Sequence, residues 1–273
     1  ACGAEALKAL CGVEGITTHR GSVLPSSLVP GMWVVPIMHP SWIIRSAQWQ
    51  EPYIAGHIVA SKVAPIVRGQ WSGYLQWQEE FAPDIVRACA FLSECERARD
   101  SYFSLDIETR AGSIACVGVG FRGASEAGEL GDKAMCVPLQ TTRGPYFSPT
   151  DEYQFWKQLD NLLKCKTIVG HNVSYDLDWL WDYGVRYSDV DDTMLYFHRL
   201  YAELPKGLDF VSMWVTDIPY YKSDGKTWGR NQPDEKLWSY NLKDVISTLR
   251  IWRYFCERHY DQGIQYRDYT KQV

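Results

Sequence analysis

The chain has 273 residues, 46% of them hydrophobic and 22% charged, the balance of an ordinary globular protein, which excludes disordered and collagen-like classes. Its length accommodates one large domain or two modest ones. Lys and Arg number 28 against 33 Asp and Glu, a formal net charge of −5, so no global basic field marks a polyanion partner, and any contact with nucleic acid has to be local or metal-assisted.

Residues 1 to about 68 read as α/β: a helix from Ala4 to Leu10, a turn-rich stretch through Gly12, Gly21 and Pro25, an apolar run from Met32 to Met38 ending in His39-Pro40-Ser41, and a closing helix over 52–67. Residues 71–100 read as a helical linker, with Ile85, Val86, Ala88, Cys89 and Leu92 at the spacing of a short amphipathic helix. From Ser101 the pattern changes to strands, Tyr102 to Ile107, Ile114 to Phe121 and Ala134 to Leu139, separated by Gly-rich turns and expected as an antiparallel meander. Asp151 to Leu163 carries apolar residues at helical spacing, with Thr150 or Asp151 expected to cap it. A short buried strand, Thr167 to Val169, leads into Gly170-His171-Asn172. Helices are then expected at Ser174 to Tyr183, Thr193 to Ala202 and Leu208 to Val215, with Pro205-Lys206-Gly207 breaking the last two apart, and a long one from Asp234 or Lys236 to Tyr260.

Eight cysteines lie scattered without a CxxC pair or a Cys/His tetrad, so neither a zinc site nor a disulfide framework is indicated. A reducing setting is expected, cytoplasmic or else phage-encoded and nucleoid-associated, and apolar runs stop well short of the ~20 residues of a membrane helix, so no membrane partner is expected. Twelve Trp and 17 Tyr suit a heavily aromatic core or base-stacking surfaces.

Chemistry concentrates in a few carboxylates. The strand Tyr102-Phe-Ser-Leu-Asp106-Ile-Glu108-Thr109 puts two acids at alternate positions, so both project from one face near its C-terminal end. Like charges side by side on an apolar strand are tolerated when a cation neutralises them, and hard oxygen donors suit Mg²⁺ or Mn²⁺; a solvated strand end is the plainer alternative. Asn172-Val-Ser-Tyr-Asp176 places another acid in the first turn of a helix, and Tyr240-Asn-Leu-Lys-Asp244 sets a phenol and a carboxylate on one helix face.

Asp-x-Glu on a strand, Asn-x3-Asp at a helix start and Tyr-x3-Asp on a late helix, in that order, resemble the 3′-5′ exonucleases of the DEDD superfamily, tyrosine branch, as in the proofreading domains of family A DNA polymerases. Asp192-Thr-Met-Leu-Tyr and Leu204-Pro-Lys-Gly-Leu208 are similar to that family as well, so the resemblance spans residues 101 to about 260. It implies an RNase H-like exonuclease fold, a mixed sheet with flanking helices. It also implies two divalent ions, Mg²⁺ or Mn²⁺, about 4 Å apart, held by Asp106, Glu108, Asp176 and Asp244, with Tyr240 beside the attacking water. Asn172 and Thr109 become candidate substrate contacts, Asn172 having a local backbone cap as its alternative reading. Asp191 and Asp192 are candidate caps for the helix near Thr193, and His171 reads as structural. Lys206, Lys222, Lys226 and Arg230 are loop cations able to meet phosphates, and Tyr221 and Trp228 would either stack on bases or pack in the core.

Ala1-Cys-Gly-Ala-Glu-Ala-Leu, Thr18-His-Arg-Gly21 and Val34-Val-Pro-Ile-Met-His39-Pro-Ser41-Trp resemble the C-terminal half of the uracil-DNA glycosylase superfamily. The resemblance implies a partial α/β glycosylase-like segment over residues 1–70, whose His39–Ser41 loop would enter DNA. The half of that fold that activates water has no counterpart, so glycosylase activity is the least expected of its uses, after a docking element or a fragment of a longer polypeptide. The whole is thus expected to be a metal-dependent 3′-5′ exonuclease on single-stranded DNA ends, in proofreading or repair beside a polymerase domain or subunit. RNA 3′-end trimming and a catalytically silent nucleic acid-binding module are the alternatives.

Overall fold

In a computed structural model, residues 1–46, 48–124, 128–222 and 233–260 are described. The elements run α1 (Ala4–Cys11), α2 (Ile16–His19), β1 (Leu24–Pro25), β2 (Trp33–Val34), α3 (Pro40–Arg45), α4 (Gln50–Ile58), a π-helical stretch (Val59–Val63), α5 (Ala64–Val67), β3 (Trp77–Phe81), α6 (Ile85–Arg97), β4 (Tyr102–Arg110), β5 (Ser113–Ala124) and β6 (Leu130–Pro138). They continue through β7 (Gln140–Thr141), β8 (Gly144–Pro145), α7 (Pro149–Cys165), β9 (Thr167–Gly170), α8 (Ser174–Asp182), β10 (Val190–Asp192), α9 (Thr193–Leu200), α10 (Leu208–Val215) and α11 (Asp234–Tyr260). Two units emerge, one of residues 1–75 and 198–221, the other of residues 76–197 and 222 onward. The later unit therefore does not own every residue after 101, because α10 belongs with the first seventy-five.

The larger unit is built on a six-stranded mixed sheet in the order β10-β9-β4-β5-β6-β3. The meander β4-β5-β6 is antiparallel as expected, while β9 joins β4, and β3 joins β6, in parallel. Alternation sorts the side chains. Phe103, Leu105, Ile107, Val117 and Val119 enter a dry core with Phe91 and Leu92 of α6 and Phe155 and Leu159 of α7. Ser104, Asp106 and Glu108 point to the opposite face, where they lie beside Gly120, Gly118 and Cys116 of β5.

The glycines set how close α11 comes. A Cβ on Gly118 would sit 2.2 Å from Asn241 Oδ1, and one on Gly120 would sit 2.5 Å from a Val245 methyl, so the helix lies almost on the β5 backbone. Asp234 pins its first turn, accepting from Arg110 and from the Thr142 amide and hydroxyl. Further along, buried Asp132 of β6 takes Arg250 at 2.8 Å and Arg253 at 2.5 Å. Helix and sheet are thereby tied at both ends.

Local chemistry departs from expectation in three places. The linker stretch holds a strand: β3 is a largely exposed edge strand, Trp-Gln-Glu-Glu-Phe, with only Trp77 and Glu80 half-buried, whose polarity hides it, and α6 beside it, capped by Asp84 on the Arg87 amide, packs on the sheet core. Helix α7 starts two residues early because Ser148 accepts from the Asp151 amide and Pro149 fits the first helical position, so Ser148, not Thr150 or Asp151, is the cap.

In the smaller unit the α/β expectation reduces to a two-residue ladder, Leu24–Val34 and Pro25–Trp33, plus one bridge between Cys2 and Ile37, since Pro36 has no amide to extend pairing. Helices dominate it. Gly21, at φ +77°, lies against Met213, leaving no room for a Cβ, and His57 stacks on Trp214 with ring centres 3.6 Å apart. Lys62 is buried and donates to the Thr216 carbonyl; burial lowers its pKa to about 8, partly offset by Asp217. Among the described residues no helix is long and apolar enough to cross a membrane.

Candidate active site

Strand β4 runs on to Arg110, whereas its pairing with β9 ends at Ser104. The edge beyond Ser104 is thus open on one side, and the Ile107 amide donates to Asp176 Oδ1 of α8 at 2.7 Å. A break in the β4–β5 register between Glu108 and Thr109 bends the strand where the acids lie. Across the other face, α11 presents Tyr240, Asn241 and Asp244.

One oxygen from each of Asp106, Glu108 and Asp244 lies within 4.8 Å of the others, the arrangement of hard donors that a small divalent cation takes. Asp176 does not join that trio. It is buried, its carboxylate is held by the Ile107 amide, and the charge of Asp106 acts on it.

The electrostatics record crowding. Burial, followed by the charge of Asp244, pushes Asp106 up to about 7 against the pull of Lys222 and of the Asn241 amide. Burial and then Asp106 and Asp244 push Glu108 up to about 9. Asp176 is raised well above the carboxylate range by burial and by Asp106, with backbone amides opposing. Acids in this state are short of positive charge, and the donor set fits a bound divalent ion.

Two side chains complete the cluster. Asn241, fully buried, donates to Asp106 Oδ2 at 2.7 Å and to the Asp106 carbonyl at 3.0 Å, fixing how that carboxylate faces its neighbours; its own Oδ1 has no hydrogen-bond partner among the described residues. It was not among the expected site residues, although it lies in register with Leu237, Val245 and Thr248, all buried, so a polar residue on an inward-facing stripe was the available signal. Lys222 ion-pairs with Asp244 and donates to the Tyr240 hydroxyl at 2.8 Å, its ammonium 4.6 Å from the centre of the Tyr240 ring. Burial opposes its charge, but Asp244 and Tyr240 outweigh it and raise its pKa, while Tyr240 is raised by burial and by Asp244.

The remaining candidates divide. Thr109 Oγ1 is hydrogen-bonded to the Tyr175 hydroxyl at 2.7 Å, and Asn172 is exposed, at φ +61°, on the β9-to-α8 turn. Asp192 acts as a staple: its carboxylate accepts from the Asn172 and Val173 amides and from Met194 and Leu195 in the first turn of α9, a capping role, and His171 bonds Thr193 Oγ1 at 2.9 Å. Lys206 bonds the Ala202 carbonyl and Tyr221 is buried, whereas Lys226, Trp228 and Arg230 lie outside the described residues. His39 caps α3, its Nδ1 accepting from the Ser41 amide at 3.1 Å and lying 2.7 Å from Ser41 Oγ, with Pro40 opening the helix.

Residues 83–258 match the DNA polymerase A-type family described as 3′-5′ exonuclease. DNA polymerase I of Aquifex aeolicus (strain VF5) is 29% identical over 125 residues, which cover 45% of this chain and 21% of that polymerase, so the chain spans about a fifth of that relative's length. Crystal structures of the EXD2 exonuclease domain are also similar: the one soaked in Mg and GMP is 15% identical, covering 70% of this chain and 95% of that one at a TM-score of 0.30, and the one soaked in Mn and GMP is 16% identical at the same score, covering 68% and 95%. The chain belongs to the 3′-5′ exonuclease family, and it is a phosphodiester hydrolase of the DEDD type.

Proposed function

We propose that this enzyme removes nucleoside 5′-monophosphates one at a time from single-stranded DNA 3′ ends, using Mg²⁺ or Mn²⁺ held by Asp106, Glu108 and Asp244, with Asp176 serving a second ion. The observation that carries this reading is the convergence of those three carboxylates, with one ammonium, Lys222, in contact with Asp244 among the described residues. Divalent ions in such a cluster activate water and stabilise the departing 3′ oxygen.

The chain's own groups do the rest. Asn241 holds Asp106 in one orientation, so the donors need not be organised at the moment of reaction. Tyr240, whose raised pKa keeps it a neutral phenol near pH 7, orients the attacking water and does not serve as a strong base. Thr109 and Asn172 flank the open edge of β4 and β9 and receive the terminal nucleotide.

Kinship with a DNA polymerase supports a proofreading or repair setting and a polymerase as partner. The His39–Ser41 segment serves docking or DNA contact rather than base excision, with His39 using its Nδ1 to cap α3. A 5′-labelled oligonucleotide incubated with Mg²⁺ or Mn²⁺ tests the reading. Stepwise shortening of single-stranded DNA is expected, whereas binding without shortening would make the chain a silent module, and faster shortening of RNA would reassign the substrate. A uracil-containing strand followed by alkali is expected to stay uncut at the uracil.

A further inference from the structure

The acid cluster already contains a cation. Lys222 places its ammonium in contact with Asp244 and 2.8 Å from the Tyr240 hydroxyl, with its side chain 17% exposed and that of Asp244 7%. Its charge is also felt at Asp106 and Glu108. One positive group thus touches two of the groups to which the reaction has been assigned and lies within electrostatic reach of two more.

We propose that Lys222 is a resident counter-cation that holds the cluster together in the absence of divalent ions and competes with them for Asp244; the inference rests on the metal-ligand reading given above. A carboxylate oxygen in contact with an ammonium cannot also bind a divalent ion without bringing two positive charges together in a partly dehydrated site. Loading the site therefore displaces Lys222 from Asp244. The same displacement removes the hydrogen bond that Lys222 donates to the Tyr240 oxygen, so that the phenol oxygen becomes available to water when the site is filled. Lysine suits this exchange: its ammonium is a compact point charge on a flexible stem, whereas an arginine would grip the carboxylate with a rigid fork.

The test uses the whole chain and Mn²⁺ alone, followed by calorimetry or by the electron paramagnetic resonance of free Mn²⁺. Lys222→Met, which keeps the length and removes the charge, should bind Mn²⁺ about fivefold or more tightly than wild type, and should melt lower than wild type in EDTA, with the gap closing at saturating Mn²⁺. Lys222→Arg, which keeps the charge, should show no gain in affinity. Unchanged or weaker binding by a folded Lys222→Met protein overturns the proposal. In the unmutated protein, acetylation of Lys222 read by mass spectrometry should speed up on adding Mg²⁺; an unchanged rate overturns the proposal even if the variant does not fold. Asp106→Asn separates the two readings. If it binds Mn²⁺ as wild type does, the ligand assignment falls and takes this inference with it; if it loses binding while Lys222→Met gains nothing, the competition alone is wrong.

Discussion

Helix α11 carries two buried charge clusters, one toward each end of its contact with the sheet, and they are built on opposite principles. At the Asp132 end one carboxylate meets two arginines, and although burial works against it, hydrogen bonds from Arg253 and Arg250 hold its pKa below the ordinary range. At the Asp244 end three carboxylates crowd around one lysine, and burial with mutual repulsion pushes Asp106 and Glu108 upward. The first cluster is satisfied and holds the fold. The second carries surplus negative charge, the state in which a site favours cations it does not itself supply.

The contrast can be broken by mutation. Asp244→Ala or Asp106→Ala should cut exonuclease turnover by about 10³-fold, as when a group that stabilises charge at the reacting centre is lost; for Asp106→Ala the metal-free melting temperature holds or rises because a repelling charge has gone, whereas Asp244→Ala takes the carboxylate from Lys222 and should melt lower. A folded variant that keeps wild-type cleavage would remove the acids from the mechanism. Asp132→Ala should do the reverse, costing about 3–5 kcal/mol of stability by leaving buried Arg250 and half-buried Arg253 without their carboxylate, with turnover per folded molecule near normal; chemical denaturation and active-site titration read the two apart. Asn241→Ala should fall between, lowering metal affinity or turnover by about 10–100-fold, the usual consequence of freeing a ligand from its hydrogen-bonded support, and Mn²⁺ titration would expose the idea as wrong if affinity is unchanged.

The gentlest probe is pH, where the clusters should pull in opposite directions. Asp106 and Glu108 have folded pKa values raised to about 7 and about 9 from unfolded values near 4. The folded state therefore binds more protons in that interval, and their contribution, full below about pH 4, is lost as pH rises through about 7 and 9. Asp132, with a depressed folded pKa, contributes stability above the unfolded value that is lost as pH falls through the folded one. In EDTA the melting temperature should decline from pH 5 to pH 9, at about 2–4 °C per kcal/mol, and saturating Mg²⁺ should flatten the decline. Asp132→Asn should remove the loss on the acid side alone. A melting temperature that climbs across the neutral range in EDTA would mean the acids are not crowded in solution.

Much of this site could be read in one dimension because its parts lie at fixed offsets within single elements. Asp106 and Glu108 share a face through strand alternation, and Tyr240 and Asp244 share one through the helical repeat, so local spacing determined their direction. Lys222 and Asn241 were harder to interpret for a different reason: what they do depends on a neighbour 22 or 135 residues away, and no local periodicity encodes that. The strand Trp77–Phe81 escaped notice because a mostly exposed, polar edge strand lacks the apolar run that marks its interior partners. The affiliation of residues 198–221 with the first unit was equally hidden, since the boundary falls within α9, between Phe197 and His198, while the Pro205-Lys206-Gly207 break lies several residues further on. The N-terminal segment shows the converse, a motif legible as sequence whose strand is interrupted by its own prolines.

The bare β5 backbone beneath α11 has a consequence for ion choice. With no atom beyond Cα at positions 118 and 120, nothing props the helix that carries Asp244 away from β5, the strand paired with that of Asp106. Mg²⁺–oxygen distances are about 2.0–2.1 Å and Ca²⁺–oxygen distances about 2.3–2.6 Å, so a shift of a few tenths of an ångström is enough to pass from the preference of one ion to that of the other. On the proposed ligand assignment, a methyl group added at either position would push α11 outward and shift the cluster toward the larger ion.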